Sequence, residues 1–316
     1  MRQKLKKKIK KIYEENYLNN KNKFYFPILE KTYYSLFLDD QEFIKALYFK
    51  RFNKTLNVSQ PKSFTEKIQW LKLYDRSDLH TLCADKLAVR DYISKTIGSE
   101  YLIPLIFNTK TSDDITKEII PNYPVIIKPN HDSGTYFIIK NKYEHDFKKI
   151  RKTLKESLKK NYYFLWREWQ YKNITPEIIV EKLLQQKNGK IPYDYKFHCS
   201  YGELLFIQVD LDKETNHKRN LYDHEWNLLP FEFTYPNGKK TKKPDNLNKM
   251  IELAKKISNE FIFARIDFYE VDKKVFFGEI TFHPGAGFVK FTPCEWDLKI
   301  GEKIILPNSN VKINKS

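Results

Sequence analysis

Apolar residues recur every three or four positions in some stretches of the chain, and every second position or in short runs in others. The first pattern predicts helices and the second strands, because side chains share a face every 3.6 residues on a helix and every two on a strand. Leu5, Ile9 and Ile12 lie at helical spacing among lysines, which reads as a basic amphipathic helix. Such a helix either packs one face in solvent or docks on a membrane surface or a fused domain. The stretch 64–75 repeats the helical pattern, and 84–96 forms another helix that Gly98 ends. From Pro124 the period shortens: VIIKP (125–129) and TYFIIK (135–140) flank NHDSG (130–134), two strands joined by a mobile loop. A helix over roughly 144–161 follows. The stretches 177–184, 194–202, 203–212, 261–270 and 274–282 then read as strands, with a helix at 247–261. This is a mixed α+β layout. The chain is read as one catalytic unit with subdomains: a basic helical region (1–60), a first lobe (61–120), a central subdomain (121–184), a C-terminal lobe (185–305) and a tail (306–316).

The densest chemistry lies in RIDFYEVDKKVFFGEITFHPGAG. Two strands joined by a turn near Asp272, Lys273 and Lys274 place Asp267 and Glu279 at equal distances from the turn centre, as cross-strand neighbours. Alternation adds Arg265 to the face of Asp267 and Thr281 to that of Glu279. Opposed carboxylates repel unless something positive lies between them, and hard oxygen ligands suit magnesium bridging nucleotide phosphates. A solvent-facing hairpin paired with nearby lysines accommodates the same residues. Lys128 ends an apolar strand and should meet an anion, since an unpaired buried ammonium is costly. The adjoining NHDSG, with Ser133 and Gly134, offers backbone donors for phosphate oxygens. At Glu181, Lys182, Leu183 and Leu184 an apolar strand ends in backbone groups suited to an adenine edge, or simply in a surface strand end.

Composition narrows the field. With 316 residues, 41% hydrophobic and 16% aromatic, the chain can bury a substantial core. No apolar run reaches membrane-spanning length and no signal-peptide core is present, which predicts a cytoplasmic protein. A net charge of +17 attracts polyanions of any kind, but the lysines are scattered and no zinc-finger or helix-turn-helix signature accompanies them, against a nucleic-acid module. Cys83, Cys199 and Cys294 are too far apart for a disulfide framework or paired zinc motif. Walker, HExxH and GxSxG motifs are all missing from the sequence. Asp210 and Asp212 in VDLD form the Asp-x-Asp pair of a metal-dependent glycosyltransferase, the alternative enzyme class.

The ordered set Asp85, Lys86, Lys128, Glu181, Arg265, Asp267, Glu279 and Thr281 resembles the ATP-grasp superfamily over roughly 80–290. The resemblance implies two α/β lobes sandwiching ATP. By it, Lys86 and Lys128 contact the phosphates, NHDSG is the flap over them, and Glu181 to Leu184 hold adenine. Asp267 and Glu279 carry Mg2+ with help from Thr281, and Arg265 stabilises charge building on the carboxyl centre under attack. Thr281 stands where the family usually has Asn, and no acidic residue occupies Gln185 to Asn188, so no ribose contact is assigned. FTEKIQWLKLYDR, CADKLAVRDYI, IIKPNHDSG, DYKFHC, NHKRNLYD and RIDFYEVDKKVFFGEITFHPGAGF are similar, more narrowly, to the TupA-like ATP-grasp family of teichuronopeptide synthesis, over about 60–305. That resemblance implies an ATP- and Mg2+-dependent carboxylate–amine ligase working through an acyl phosphate in capsular or other surface-polysaccharide synthesis. Its substrates would be a uronic acid, polymer-borne or UDP-linked, and a small amine or amino acid. Lys196, His217, Lys218 and Arg219 would hold phosphates or the uronate, the last three being otherwise a solvated basic turn. His283 and Gly285 would border the acceptor pocket, His283 being otherwise a structural imidazole.

Overall fold

The computed structural model describes residues 38–212 and 215–307. The basic helix expected near the N-terminus lies outside these residues. Met1–Asn57 and Val58–Ser316 are separate compact units. In the first, α1 (Asp40–Phe52) starts at a capping box in which Asp39 and Glu42 each accept the other's backbone N–H, and it ends at Asn53 in the left-handed region.

The second unit carries every expected site residue. Here α2 (Phe64–Tyr74) begins at a second capping box, Ser63 with Glu66, and buries Phe64, Ile68 and Leu71. The single helix expected over 84–96 is instead two, α3 (Asp78–Ala84) and α4 (Val89–Thr96). Asp85 breaks the path: its carboxylate takes the N–H groups of Leu87 (2.8 Å) and Ala88 (3.3 Å), a local alternative to the helical ladder.

β1 (Leu105–Thr109), β2 (Val125–Pro129) and β3 (Phe137–Ile139) precede α5 (Phe147–Leu158), the short α6 (Tyr163–Trp166) and β4 (Ile178–Lys182). These strands form an antiparallel sheet in the order β1-β4-β2-β3. The apolar stripe of α5, Phe147, Ile150 and Leu154, packs on Val125, Ile127, Ile139, Ile178 and Val180.

β5 (Asp194–Ser200), β6 (Glu203–Leu211), β7 (Lys218–Tyr222) and β8 (Glu232–Phe233) lead to α7 (Leu247–Ser258). β9 (Ala264–Val271), β10 (Lys274–Thr281), β11 (Phe291–Thr292) and α8 (Glu295–Glu302) follow. The main sheet here has the order β10-β9-β5-β6-β7, all antiparallel. One of its faces is apolar throughout: Phe197, Ile207, Val209, Ile266 and Phe268 meet Met250, Leu253 and Ile257 of α7. The other face is split. Phe206, Leu221 and Phe263 lie under an aromatic cluster of Phe64, Phe231, Phe233 and Phe291. Beyond that cluster the face turns polar, with Lys196, Asp267, Gln208 and Asp210 all buried. Buried polar groups need partners, so this half of the sheet is where chemistry is to be sought. None of the described helices is long and apolar enough to cross a membrane.

Candidate active site

The β9–β10 hairpin closes through Asp272 and Lys273, both left-handed (φ 50° and 62°), the backbone hand that matches strand twist. A two-residue turn pairing Val271 with Lys274 would, uninterrupted, set Asp267 opposite Gly278. A bulge between Phe277 and Glu279 adds one residue and brings Glu279 opposite Asp267. Gly278 permits it: a Cβ there would meet the Tyr269 ring at 2.9 Å and the Asp267 carbonyl oxygen at 3.1 Å. The expected pairing is correct, but the bulge rather than symmetry about the turn produces it.

Arg265 lies between the two carboxylates. Its Nε donates to Asp267 Oδ1 (2.7 Å), and its Nη2 donates to Asp267 Oδ2 (2.7 Å) and Glu279 Oε1 (2.8 Å). Thr281 Oγ1 donates to the same Glu279 oxygen (3.2 Å). Lys196, opposite Asp267 in the β5–β9 register, donates to Asp267 Oδ2 at 2.7 Å and also to Asp194. Burial pushes the Asp267 carboxyl up to about 6 against the pull of Arg265 and Lys196. Burial acts upward on Glu279 too, but Arg265, Lys86, Lys196 and Lys128 outweigh it and hold that carboxyl down to about 2. Arg265 thus touches Glu279 directly, while Lys86, Lys196 and Lys128, bonded to Asp132, Asp267 and Glu181, act on it through their charge.

The break at Asp85 is what delivers Lys86. The Lys86 backbone N–H reaches the Asn130 carbonyl (3.1 Å), its ammonium reaches the Asp132 carbonyl (2.5 Å), and Asn130 Nδ2 donates to Asp85 (2.9 Å). Asn130, His131 and Asp132 are accordingly buried, and Ser157 donates to the Asp132 carboxylate. The loop expected to be mobile is therefore anchored through its first three residues. Only Ser133 and Gly134 stay exposed, and the Ser133 carbonyl accepts from Tyr162 Oη (3.1 Å).

Lys128 finds its anion in Glu181, at 2.8 Å, and Arg90 meets the other oxygen of the same carboxylate at 3.1 Å. The Glu181 side chain thus holds two cations, and the two backbone donors that follow, expected to face an adenine edge, are engaged within the fold. The N–H groups of Lys182 and Leu183 go to the carbonyls of Pro104 and Pro124, each at 3.0 Å, with half-buried Leu184 next.

His217 and Arg219 are not in a solvated turn. Both bond Asp210, Arg219 Nε at 2.6 Å and His217 Nε2 at 3.1 Å, while Gln208 Nε2 donates to the other oxygen at 3.0 Å. His217 also stacks on Tyr235, with centroids 3.7 Å apart. Lys218 is set apart from them, since alternation turns it to the opposite face, where its Cβ lies beside Gly238. Asp210 is thus clasped by donors, and Asp212 lies just past β6 with a left-handed backbone. His283 is buried with Nδ1 3.9 Å from Glu168, and burial pushes its imidazole well below the usual range. Gly285 and Gly287 take positive φ in a turn whose Ala286 carbonyl accepts from Gln69 and from the buried Lys72.

The sequence reading passed over Lys72, Arg90, Glu168 and Asp194. Asp194 had a signal, standing two residues before Lys196 on one strand, and Lys72 had another, a charge on the apolar side of α2. Arg90 and Glu168 had none. Among the described residues no three His, Cys, Asp or Glu side chains gather as a ready-made metal cage. Magnesium does not ask for one: it takes one or two carboxylates and completes its shell with phosphate oxygens and water, and the donors of Asp267, Glu279 and Thr281 fit that demand.

The family model for TupA-like ATP-grasp proteins matches residues 66–305. The chain belongs to the TupA-like ATP-grasp family. The match takes in both sheets and the hairpin, so the ATP-grasp fold includes every site residue described above. Among solved structures, D-alanine–D-alanine ligase from Bacillus anthracis is similar at 16% identity, covering 65% of this chain and 58% of that one (TM-score 0.37). The L-amino acid ligase from Bacillus licheniformis is similar at 13% identity over 80% and 57% (TM-score 0.43). An N5-carboxyaminoimidazole ribonucleotide synthetase in complex with ADP is similar at 12% identity over 69% and 50% (TM-score 0.41). This ATP-grasp chain thus spans between half and three-fifths of the length of these three structures. No curated protein matches the sequence.

Proposed function

We propose that this ATP-grasp protein is an ATP- and magnesium-dependent carboxylate–amine ligase that forms an amide on a uronic acid during surface-polysaccharide synthesis. The observation that carries the reading is Arg265 bridging the opposed carboxylates of Asp267 and Glu279, with Lys196 on Asp267 and the charges of Lys86 and Lys128 acting on Glu279. A cluster so rich in cations suits a ligand with several negative charges, and the opposed carboxylates suit the cation that accompanies it. Lys86, Lys128 and Lys196 would hold the phosphates of ATP, Ser133 and Gly134 would cover them, and Lys182 to Leu184 would meet the adenine edge. Asp267, Glu279 and Thr281 would hold magnesium, which when bound neutralises charge spreading over the transferred phosphoryl group.

In the first step a carboxylate oxygen attacks the γ-phosphorus and ADP leaves, giving an acyl phosphate. In the second a neutral amine attacks the acyl carbon, the C–N bond forms, and phosphate departs with the electron pair of the C–O bond. Arg265 would stabilise the oxyanion between these states. His217 and Arg219, on the same sheet face as Lys196, would reach the uronate or its phosphates. The uronate itself is supported by the family and by a net charge of +17, which favours a polyanionic partner.

The test measures ADP and phosphate release from ATP with magnesium while UDP-glucuronate, glucuronate and galacturonate are scanned against amino acids, ethanolamine and ethanolamine phosphate, with mass spectrometry of the products. Release that needs both partners, with a product lighter than their sum by one water, supports the ligase. Consumption of a sugar nucleotide with ATP untouched refutes it and favours a glycosyltransferase.

A further inference from the structure

A second buried polar group lies beside the hairpin and has no part in the roles above. Glu168, 5% exposed, follows α6, with Lys72 from α2 and His283 from beyond β10 as its neighbours. His283 continues the line of Glu279 and Thr281, two residues further on. Tyr171 feels the charges of both Glu168 and Glu279, so this group and the magnesium hairpin share one neighbourhood. Both amide atoms of Gln170, and Nδ1 of His283, are buried with no hydrogen-bond partner among the described residues. Each such atom costs about 1–3 kcal/mol if nothing ever meets it. His283 Nδ1 stands 3.9 Å from the buried Glu168 carboxylate, and Gln170 is two residues along the chain from it, which together indicate a place built for a polar occupant. Its wall is aromatic: Trp166 packs on Phe288 at 5.8 Å between centroids, and the Lys72 ammonium is 4.9 Å from the Phe288 ring.

We infer that this cluster of buried polar groups receives the amine substrate and that the Glu168 carboxylate takes the proton from its ammonium. The inference rests on the ligase reading. An ammonium has no lone pair, so it must lose one proton before it can attack the acyl phosphate. That proton passes to Glu168; the second, lost as the C–N bond forms, leaves on phosphate. A carboxylate of ordinary acidity is a poor acceptor near neutrality, and the best catalytic base titrates close to the working pH. Burial pushes Glu168 up to about 7, with Lys72 pulling the other way. The remaining charged or titratable groups around it are Arg167, Tyr162 and Tyr171 of its own segment and His283, whose imidazole burial keeps neutral.

Hydroxylamine separates this role from the rest of the reaction, because it is neutral at pH 7 and needs no base to attack an acyl phosphate. With ATP, magnesium and UDP-glucuronate, the wild-type protein should form the hydroxamate at a rate level across pH 6–8. The amide with ethanolamine should instead rise up to about pH 7 as Glu168 deprotonates and level off above it, whereas an amine that reached the site already neutral would keep rising with pH. Glu168→Gln should lower kcat/KM for ethanolamine on the order of 100-fold or more, with hydroxamate formation within about twofold of wild type. Level profiles for both nucleophiles in the wild type, or equal loss of both products in Glu168→Gln, would overturn the assignment while leaving the ligase intact. Failure of the wild type to make hydroxamate from any uronate would overturn the ligase reading, and this inference with it.

Discussion

Gly278→Ala tests whether the bulge is what makes the hairpin a site. The new methyl would stand 2.9 Å from the Tyr269 ring, closer than real side chains come, and 3.1 Å from the Asp267 carbonyl oxygen, tighter than most contacts. Tyr269 is flanked in register by Asp194 of β5 and Phe276 of β10, so relief comes from a shift of strand β10. Overpacking of this kind costs roughly 1–3 kcal/mol. For a unit of this size that lowers Tm by about 2–12 °C. The functional loss should be larger than the stability loss, because Glu279 is the next residue and a misplacement of about 1 Å can reduce a rate 100-fold. Gly202→Ala is the control: it strains the chain differently, by forcing a side chain onto a positive φ, 77°, and it sits at the β5–β6 turn against α7, away from the carboxylates. Thermal unfolding and ADP release would be measured on both variants. Similar Tm losses with turnover lost only at position 278 are expected. Equal turnover in the two variants would refute the claim that the bulge sets the geometry.

Asp267→Asn and Glu279→Gln should each reduce ADP release at least about 100-fold with the circular-dichroism spectrum unchanged, the size expected when electrostatic stabilisation of a transition state is removed; normal turnover in either would remove that residue from the magnesium set. Lys128→Met should weaken ATP binding about tenfold or more by calorimetry, as a charge-assisted contact is lost and Glu181 is left to Arg90 alone. Phe64→Ala should cost about 3–5 kcal/mol in urea unfolding, because Phe64 touches Phe233, Phe263 and Phe291 at the centre of the aromatic cluster. Glu279 is held down to about 2 from its usual 4.5, so its contribution to stability is complete above pH 4.5 and fades as pH falls toward 2. Urea midpoints of wild type and Glu279→Gln, measured without magnesium, should therefore converge on acidification and separate above pH 4.5.

What the sequence discloses follows the reach of local periodicity. Alternation joined Arg265 with Asp267 and Glu279 with Thr281, since a strand's period is fixed by its geometry, and the hairpin turn brought the two pairs onto one face. The bulge at Gly278 left no mark in that pattern except the glycine. The break at Asp85 was hidden because apolar spacing continues through it, while the carboxylate that ends the helix acts over two residues. NHDSG looked mobile from its small polar residues, yet Asn130 and Asp132 turn inward to partners at Asp85, Thr175 and Ser157. Lys72, Glu168 and His283 stand far apart in the chain and only tertiary packing joins them, as it joins Arg90 to Glu181. The acidic partner that Lys128 required was legible as a need, whereas its identity was not.

The central claim is a carboxylate activated by phosphoryl transfer, and oxygen transfer reports on it directly. A uronate labelled with 18O in its carboxyl group would be turned over with ATP, magnesium and the amine found by the substrate scan, and the released phosphate analysed by mass spectrometry. If an acyl phosphate forms, each phosphate carries one oxygen from the carboxylate, and phosphate appears in step with amide. Amide formed alongside unlabelled phosphate would contradict activation through an acyl phosphate.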